Sequence, residues 1–423
     1  MHANTNNNRK LIWPKDSLKE ILGCNHPEIT GISFDTRTIK PGDMFIALRA
    51  TRDGHDFVQE AIDKGASFAL VEREICKNNI VVDSVINTIV EIAKYRRSMF
   101  KGIVIGITGS VGKTTSKQML TKALLSAGHS VFATEKSYNN LLGLSYSLAT
   151  MPLDVEFAVL ELGTSGFGEI ETLAQMCQLD YSLITAIAQA HIEMLGSMKN
   201  IVFEKREIIK YTKKGTVFDC NAWYSHMLIE IAKENGVEYR CFESNENAME
   251  TMQRAWVVLL EMLGINGYQF DEKLLNNITG RRNVFEAVLN GQKVRVIDSA
   301  YNANLGSMIE SLKFLSTFDG PKTAILGDML AIGTRGPRYH EMLAPYLKDM
   351  NLLCVGENMR LLAEKLATNG MLVKWFESTS CLIEYLRAKK LDGTLLIKGS
   401  SDAHKSPNDL DCVVKFFESN KVG

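Results

Sequence analysis

Eight consecutive residues, Thr108-Gly109-Ser110-Val111-Gly112-Lys113-Thr114-Thr115, are the ones best suited to chemistry. Glycine takes positive φ angles readily, which lets successive backbone N–H groups turn inward and form a nest for anions. A lysine directly after such a nest can hold the outer phosphates of a nucleoside triphosphate, and the next hydroxyl can ligate a magnesium ion. Lys113 and Thr114 stand at those places. The run departs from strict G-x-x-x-x-G-K spacing, because Ile107 stands where the first glycine would be. A glycine turn with a chance lysine is the bland alternative. An apolar strand before the run and an amphipathic helix after it argue for the phosphate loop.

Transfer of a phosphoryl group to a carboxylate needs cations to offset charge on the terminal phosphate. Glu161 ends an apolar strand in LELGTSG, and His191 follows the next strand in AQAHIEMLGS. Strand ends in parallel sheets are where ligands bind, so both are candidate metal ligands. Each also has an ordinary alternative, a solvated carboxylate or a satisfied loop histidine. His191-Ile192-Glu193 mimics the H-x-E of zinc deaminases, but no P-C-x-x-C partner follows. Lys205, in FEKREII, reads by itself as a helix-surface lysine between Glu204 and Glu207.

The elements that must position these residues alternate strand and helix, which implies parallel sheets. Residues 1 to about 98 are mixed: a short helix over 16–22, two strand-like runs about Pro41-Gly42, then a helix stopped by Gly65 and another strand. Residues about 99 to 280 open with the strand Ile103-Val104-Ile105. A helix follows with Met119, Leu120, Ala123 and Leu124 on one face and Gly128 at its end, and further strands fit 157–162 and 181–188. Residues about 281 to 423 alternate again, with strands expected at 293–298, 322–326, 351–356 and 394–399, a second and smaller doubly wound unit.

With 423 residues, 45% of them apolar, several domains can each bury a core. The net charge of −1 lacks the clustered cations that a nucleic-acid binder needs. No apolar run reaches the length of a membrane span, and the polar start MHANTNNNRK has no signal-peptide core, so a cytoplasmic protein is expected. The eight cysteines are scattered and none forms C-x-x-C, which reads as small buried apolar residues in a reducing compartment and not as a disulfide frame. No apolar stripe calls for a partner, so a monomer is expected.

The order TGSVGKTT, SYNN-LLG, LELGTSGFGEI and AQAHIEMLGS, then KREII, resembles the Mur ligase family of ATP-dependent amide ligases. The runs VIDSAYNANLGSM, AILGDMLAIG, YHEML and LLIKGS resemble its D-alanyl-D-alanine-adding type, and SFDTRTIKPGDMFIAL with DGHDF resembles that type's UDP-binding domain. The resemblance covers nearly the whole chain. It implies an α/β protein of three domains: a mixed UDP-sugar-binding domain (1–98), a central phosphate-loop ATPase domain with a parallel sheet (99–280) and a Rossmann-like ligase domain (281–423). It implies that ATP phosphorylates the carboxylate of UDP-N-acetylmuramoyl-tripeptide, and that the amine of D-alanyl-D-alanine displaces the phosphate.

Position by position, the resemblance implies that Asp35, Thr36 and Arg37 hold the UDP-sugar. Gly109, Ser110, Val111, Gly112, Lys113, Thr114 and Thr115 serve ATP, with Asn139 and Asn140 near the nucleotide. Thr114, Glu161 and His191 serve Mg²⁺. Lys205 falls where many members carry a carbamylated lysine. Arg281 reaches ATP, Asp298 the ribose, and Tyr301 and Asn302 the adenine. Asp328 and Lys398-Gly399-Ser400 face the incoming amine. The sequence departs from the type between Gly215 and Ile265, where the chain is short and Glu243 and Asn247-Ala248 replace a longer asparagine-rich run, and at GRRNVFEA and Ser299. Other readings are a different amide ligase of the superfamily, such as a folylpolyglutamate synthase, and a non-catalytic nucleotide-binding relative. The folate enzymes lack the N-terminal UDP-type domain, and the retained Lys113, Glu161, His191 and Lys205 argue against the non-catalytic one.

Overall fold

The computed structural model describes residues 13–49, 52–135, 138–188, 192–245, 248–268, 283–300, 303–330, 336–368, 370–400 and 409–421. Three sheets carry it, and the chain gathers into two compact units. One comprises residues 1–185, 202–244 and 251–268, the other 186–201, 245–250 and 269–423.

The first unit holds two sheets. Strands β1 (Gly31–Ser33), β2 (Asp43–Ile46), β3 (Phe68–Val71) and β4 (Asn79–Val81) pair in that order, all parallel. The runs flanking Pro41-Gly42 are therefore neighbours in a parallel sheet and not arms of a hairpin. The short N-terminal helix spans Lys19–Leu22, shorter than its sequence suggests. Trp13, Leu18, Ile29 and Met44 bury completely beneath the helix Val85–Met99. That helix also joins the two sheets of the unit. Arg96 Nε donates to the carbonyl of Met151 (2.9 Å), and Arg97 donates to the carbonyls of Cys177 (2.5 Å) and Gln178 (2.6 Å). Each guanidinium thus satisfies buried carbonyls that no strand reaches.

The second sheet comprises β5 (Ile103–Thr108), β6 (Val131–Ala133), β7 (Phe157–Glu161), β8 (Leu179–Ile184), β9 (Thr212–Asp219) and β10 (Glu238–Phe242). Its order is β10-β9-β8-β5-β7-β6, parallel throughout. Burial on both faces explains the near-continuous apolar runs of β5 and β7. The chain leaves β5 toward one side of the sheet and β8 toward the other, which makes their carboxyl ends a topological switch point, the place where such sheets bind ligands.

The second unit carries β11 (Asn283–Leu289), β12 (Gln292–Asp298), β13 (Lys322–Leu326), β14 (Asn351–Val355), β15 (Val373–Phe376) and β16 (Thr394–Lys398), in the order β11-β12-β16-β13-β14-β15. Four of these match strands expected from sequence. The run GRRNVFEA leads into β11, the one antiparallel strand, which turns back on β12 through Asn290-Gly291, both at positive φ. Apolar layers on both faces of this sheet form its core.

The cysteines depart from expectation. Cys220, just past β9, and Cys241, in β10, form a disulfide with Cα atoms 5.5 Å apart. A strand–helix–strand return brings the two together, which spacing alone does not reveal. Cys177 and Cys354 are buried as expected, whereas Cys381 and Cys412 are exposed.

Candidate active site

The phosphate loop forms where the sequence places it. Gly112 has φ +87° and leads directly into the helix Lys113–Ser126. The positive φ is what favours glycine there; a Cβ would also meet Met252 Sδ at 2.9 Å, a contact that the flexible methionine can relieve. Thr185, just past β8, fixes the loop from the side: its N–H donates to the Thr108 carbonyl (2.9 Å) and its hydroxyl to the Val111 carbonyl (2.6 Å). Ser110, Thr114 and Thr115 are buried, and Lys113 Nζ folds back to donate to the Gly109 carbonyl at 2.8 Å.

Glu161 is the centre of the cluster beside this loop. It is 1% exposed, and its oxygens are reached by three side chains, two from the helix Lys113–Ser126 and one from the loop before Leu141. Thr114 Oγ1 donates to Oε2 (2.8 Å) and Asn139 Nδ2 to Oε1 (2.8 Å). Lys117 Nζ stands 3.6 Å from Oε2 and donates to the Thr134 carbonyl at 2.6 Å. Gly163 admits Asn139, since a Cβ there would come within 2.7 Å of its amide. The paired asparagines thus separate. Asn139 meets Glu161, whereas Asn140 caps the helix Leu141–Ala149 by accepting from Gly143 N–H at 2.9 Å.

Lys205 is not on a helix surface. It is 2% exposed, with Glu204 and Glu207 buried beside it. Glu204 accepts from the N–H groups of Gly168 and Ile170, both at 2.8 Å, and so holds the start of the helix Glu169–Cys177. Glu207 pairs with Lys210. Among the described residues Lys205 Nζ has no hydrogen bond or ion pair. Burial, reinforced by the nearby charge of Lys113, pushes its pKa well below the usual lysine range.

Asp35 and Arg37 form a fork-shaped pair on the loop after β1, with Nη2 to Oδ2 at 2.6 Å, and the guanidinium holds the Asp35 carboxyl below its usual pKa. The Arg37 side chain is 85% exposed, and Lys64 donates to the Thr36 carbonyl. Phe34 precedes them and meets Tyr138 and Tyr146 edge-on at 6.2 and 5.2 Å between ring centres. Burial pushes the Tyr146 phenol up to about 12, so it stays a neutral hydroxyl. This trio and Lys117 went unremarked in the sequence. SYNN places Tyr138 beside the asparagines, but nothing local marks Lys117.

At the carboxyl edge of the other unit's sheet, four sequence runs knit together. Gly327 N–H donates to the Lys398 carbonyl, Ser400 N–H to the Asp328 carbonyl, Leu330 N–H to Ser400 Oγ, and Ser400 Oγ to the Ala303 carbonyl. Met329 N–H donates to Nε2 of the buried His340 at 3.0 Å, which ties YHEML to GDML. Asp298 and Lys398, both buried, end adjacent strands. Lys398 Nζ lies 3.4 Å from the Ser299 carbonyl. Asp328 has a structural task that the sequence did not suggest. Its oxygens accept from the N–H groups of Asn358 (3.1 Å) and Met359 (2.8 Å), so the carboxylate caps the helix Glu357–Thr368 within its own domain. His191, Arg281, Tyr301, Asn302 and Asn247 lie outside the described residues.

Among the described residues no three His, Cys, Asp or Glu side chains gather as a metal cluster. The Glu161 carboxylate and Thr114 hydroxyl are nevertheless hard oxygen donors side by side, which suits Mg²⁺, an ion that takes few protein ligands and leaves the rest to phosphate and water. Among the described residues no helix is long and apolar enough to cross a membrane.

Family models match along most of the chain: the Mur ligase family catalytic domain over residues 28–100, the Mur ligase middle domain over 107–288, and the Mur ligase glutamate ligase domain over 280–401. A UDP-N-acetylmuramoyl-tripeptide–D-alanyl-D-alanine ligase of Rickettsia prowazekii is 30% identical, covering 96% of this chain and 100% of its own. The ligase so named in Bacillus subtilis is 30% identical over 74% of this chain and 76% of its own. A crystal structure of MurF from Acinetobacter baumannii superposes with a TM-score of 0.80 at 23% identity, covering 97% of this chain and 99% of that one. A folylpolyglutamate synthase from Thermotoga maritima reaches only 0.53 at 14% identity, over 79% of this chain and 94% of its own. The chain belongs to the Mur ligase family, among the relatives named for joining D-alanyl-D-alanine to UDP-N-acetylmuramoyl-tripeptide.

Proposed function

We propose that this protein is an ATP-dependent, ADP-forming ligase that joins D-alanyl-D-alanine to UDP-N-acetylmuramoyl-tripeptide in peptidoglycan precursor synthesis. The observation that carries the reading is the cluster of Thr114, Asn139 and Glu161 at the mouth of a glycine loop, in a chain whose 30%-identical relative bears that activity in its name. The loop N–H groups of residues 109–115 receive the phosphates, and Lys113 exchanges its Gly109 carbonyl for a phosphate oxygen. The tripeptide carboxylate attacks the γ-phosphorus and ADP leaves. The amine nitrogen of D-alanyl-D-alanine then attacks the acyl carbon; the C–N bond forms, phosphate departs with the C–O electron pair, and the amine gives up a proton. Enclosure of the acyl phosphate excludes water, which would hydrolyse it.

Thr114 and Glu161, with His191, are the residues we assign to Mg²⁺. Bound there, the ion would offset charge on the transferring phosphoryl group. Lys205 is assigned as the carbamylated lysine, because burial lowers its pKa and so favours the neutral amine, the form that adds carbon dioxide. Asp35, Thr36 and Arg37 are assigned to the UDP-sugar. Asp298, with Arg281, Tyr301 and Asn302, is carried as a nucleotide contact on the resemblance, and Lys398 as the residue toward the amine. Domain limits at residues 98 and 280, a monomeric state and a cytoplasmic location belong to the same reading.

Phosphate release from Mg²⁺ and ATP, with tripeptide substrate and D-alanyl-D-alanine each omitted in turn, tests it. Release that requires both is expected. Release with neither required, or none with both present, overturns the assignment.

A further inference from the structure

Lys117 has no part in the reading above, yet it is among the most enclosed charges in the first unit. It lies one helical turn beyond Lys113 and is 2% exposed. Its ammonium stands 3.6 Å from Glu161 Oε2, the same oxygen that accepts the Thr114 hydroxyl. The Thr134 carbonyl fixes it there at 2.6 Å, and the Thr134 hydroxyl also accepts from the Glu161 backbone N–H at 3.3 Å. One residue thus anchors both members of the buried pair. A burial this deep is tolerated only for a charge that is paired and hydrogen-bonded, and Lys117 is both.

We propose that Lys117 is a resident cation that compensates Glu161 while nucleotide is absent and prevents a divalent ion from settling on that carboxylate before ATP arrives. The proposal rests on the reading of Glu161 as a metal ligand. A second cation drawn to the same oxygen meets the ammonium a few ångströms away in a site screened from water, where like charges repel strongly. The ammonium cannot swing aside, because its head is tied to Thr134 and its stem is packed in the helix. The triphosphate reverses the balance: its negative charges make room for both cations. Metal therefore enters as the nucleotide complex and not ahead of it. Lys117 acts through Glu161 and touches no substrate; it is a positioning residue.

The test is a Mn²⁺ titration of the full-length protein, read by the electron paramagnetic resonance of free Mn²⁺, with and without a non-hydrolysable ATP analogue. Wild type is expected to bind Mn²⁺ tightly only with the analogue. Lys117→Met should bind it about tenfold or more tightly without the analogue than wild type does. Lys117→Gln keeps a donor for the Thr134 carbonyl without the charge; it should behave alike and carries the test if the methionine variant does not fold. In a Glu161→Gln background the effect of Lys117→Met should vanish. Wild type that binds Mn²⁺ through Glu161 equally well without the analogue overturns the proposal, as do Lys117 variants with unaltered analogue-free affinity. Failure of the underlying reading looks different: Glu161→Gln would then leave Mn²⁺ affinity unchanged with the analogue present.

Discussion

Replacing Lys205 with methionine should make the protein more stable and inactive at once. Lys205 is 2% exposed and its pKa lies well below the usual 10.5. In the unfolded chain at pH 7 the same amine is protonated. Folding must therefore either bury a charge or release a proton, and the cheaper route sets the cost. Releasing a proton at pH 7 from a group of ordinary pKa 10.5 costs about 1.36 kcal/mol for each of the 3.5 intervening units, or roughly 5 kcal/mol, which is the upper bound. Methionine has a similar shape and no charge, so Lys205→Met recovers part of this, on the order of 2 kcal/mol once imperfect repacking is counted. The unfolded state binds more protons than the folded one, so wild-type stability rises with pH until the unfolded lysine also deprotonates near 10.5. The advantage of the variant should accordingly shrink as pH rises from 7 to 9.5. Urea midpoints measured across that range in bicarbonate-free buffer, with the slope of each curve, give the comparison. A variant less stable than wild type at pH 7, with the same pH dependence, would refute the claim that burial of Lys205, which has no partner among the described residues, costs stability. Turnover should fall to near background in Lys205→Ala and return in part with short carboxylic acids. Wild-type turnover without additives would remove the carbamate from the proposal.

The remaining expectations separate residues that hold ligand from residues that hold backbone. Lys113→Ala should lower phosphate release at least about a hundredfold while leaving the circular dichroism spectrum and melting temperature close to wild type; undiminished release would refute the phosphate-loop assignment. Asn140→Ala should cost about 1 kcal/mol of stability through the lost helix cap and leave kcat nearly unchanged, whereas Asn139→Ala should lower kcat and leave stability nearly unchanged; the opposite pattern would exchange their roles. Asp328→Ala should destabilise the C-terminal unit by about 1–2 kcal/mol in a denaturant melt without raising KM for D-alanyl-D-alanine, and a raised KM with an intact melt would restore the substrate role.

The strands were legible because burial on both faces leaves an unmistakable apolar run, as in Ile103–Thr108 and Thr394–Lys398. The phosphate loop was legible because its chemistry is local: glycine, lysine and threonine act through neighbouring backbone. Three things were not. β11 is the end strand of its sheet and pairs through a tight turn, where alternation of buried and exposed positions replaces a continuous run. The Cys220–Cys241 pair depends on which strands become neighbours. The surroundings of Lys205 read as a charged helix face, because EKRE shows charges without showing that Glu204, Lys205 and Glu207 lie on the buried side of the helix, while Phe203 is exposed.

A polar residue at a strand end has two employments, and sequence rarely distinguishes them. It can satisfy a helix start close by in the chain, as Asn140 and Asn304 do three residues on, or it can wait for a ligand. Asp328 shows that the first employment can also be long-range, since the N–H groups it accepts from lie 30 and 31 residues away. What distinguishes Glu161 is that its carboxylate oxygens meet side chains and not backbone: Thr114 from 47 residues away, Asn139 from 22, and Lys117. Side chains can give up such bonds to an incoming phosphate or ion at little conformational cost, whereas a helix start cannot surrender its cap without fraying. The partner type therefore sorts the candidates. Asn139 and Thr114 form an exchangeable set about Glu161, with Lys117 held fixed beside it by Thr134, whereas Asn140 and Asp328 each hold a helix start within their own unit.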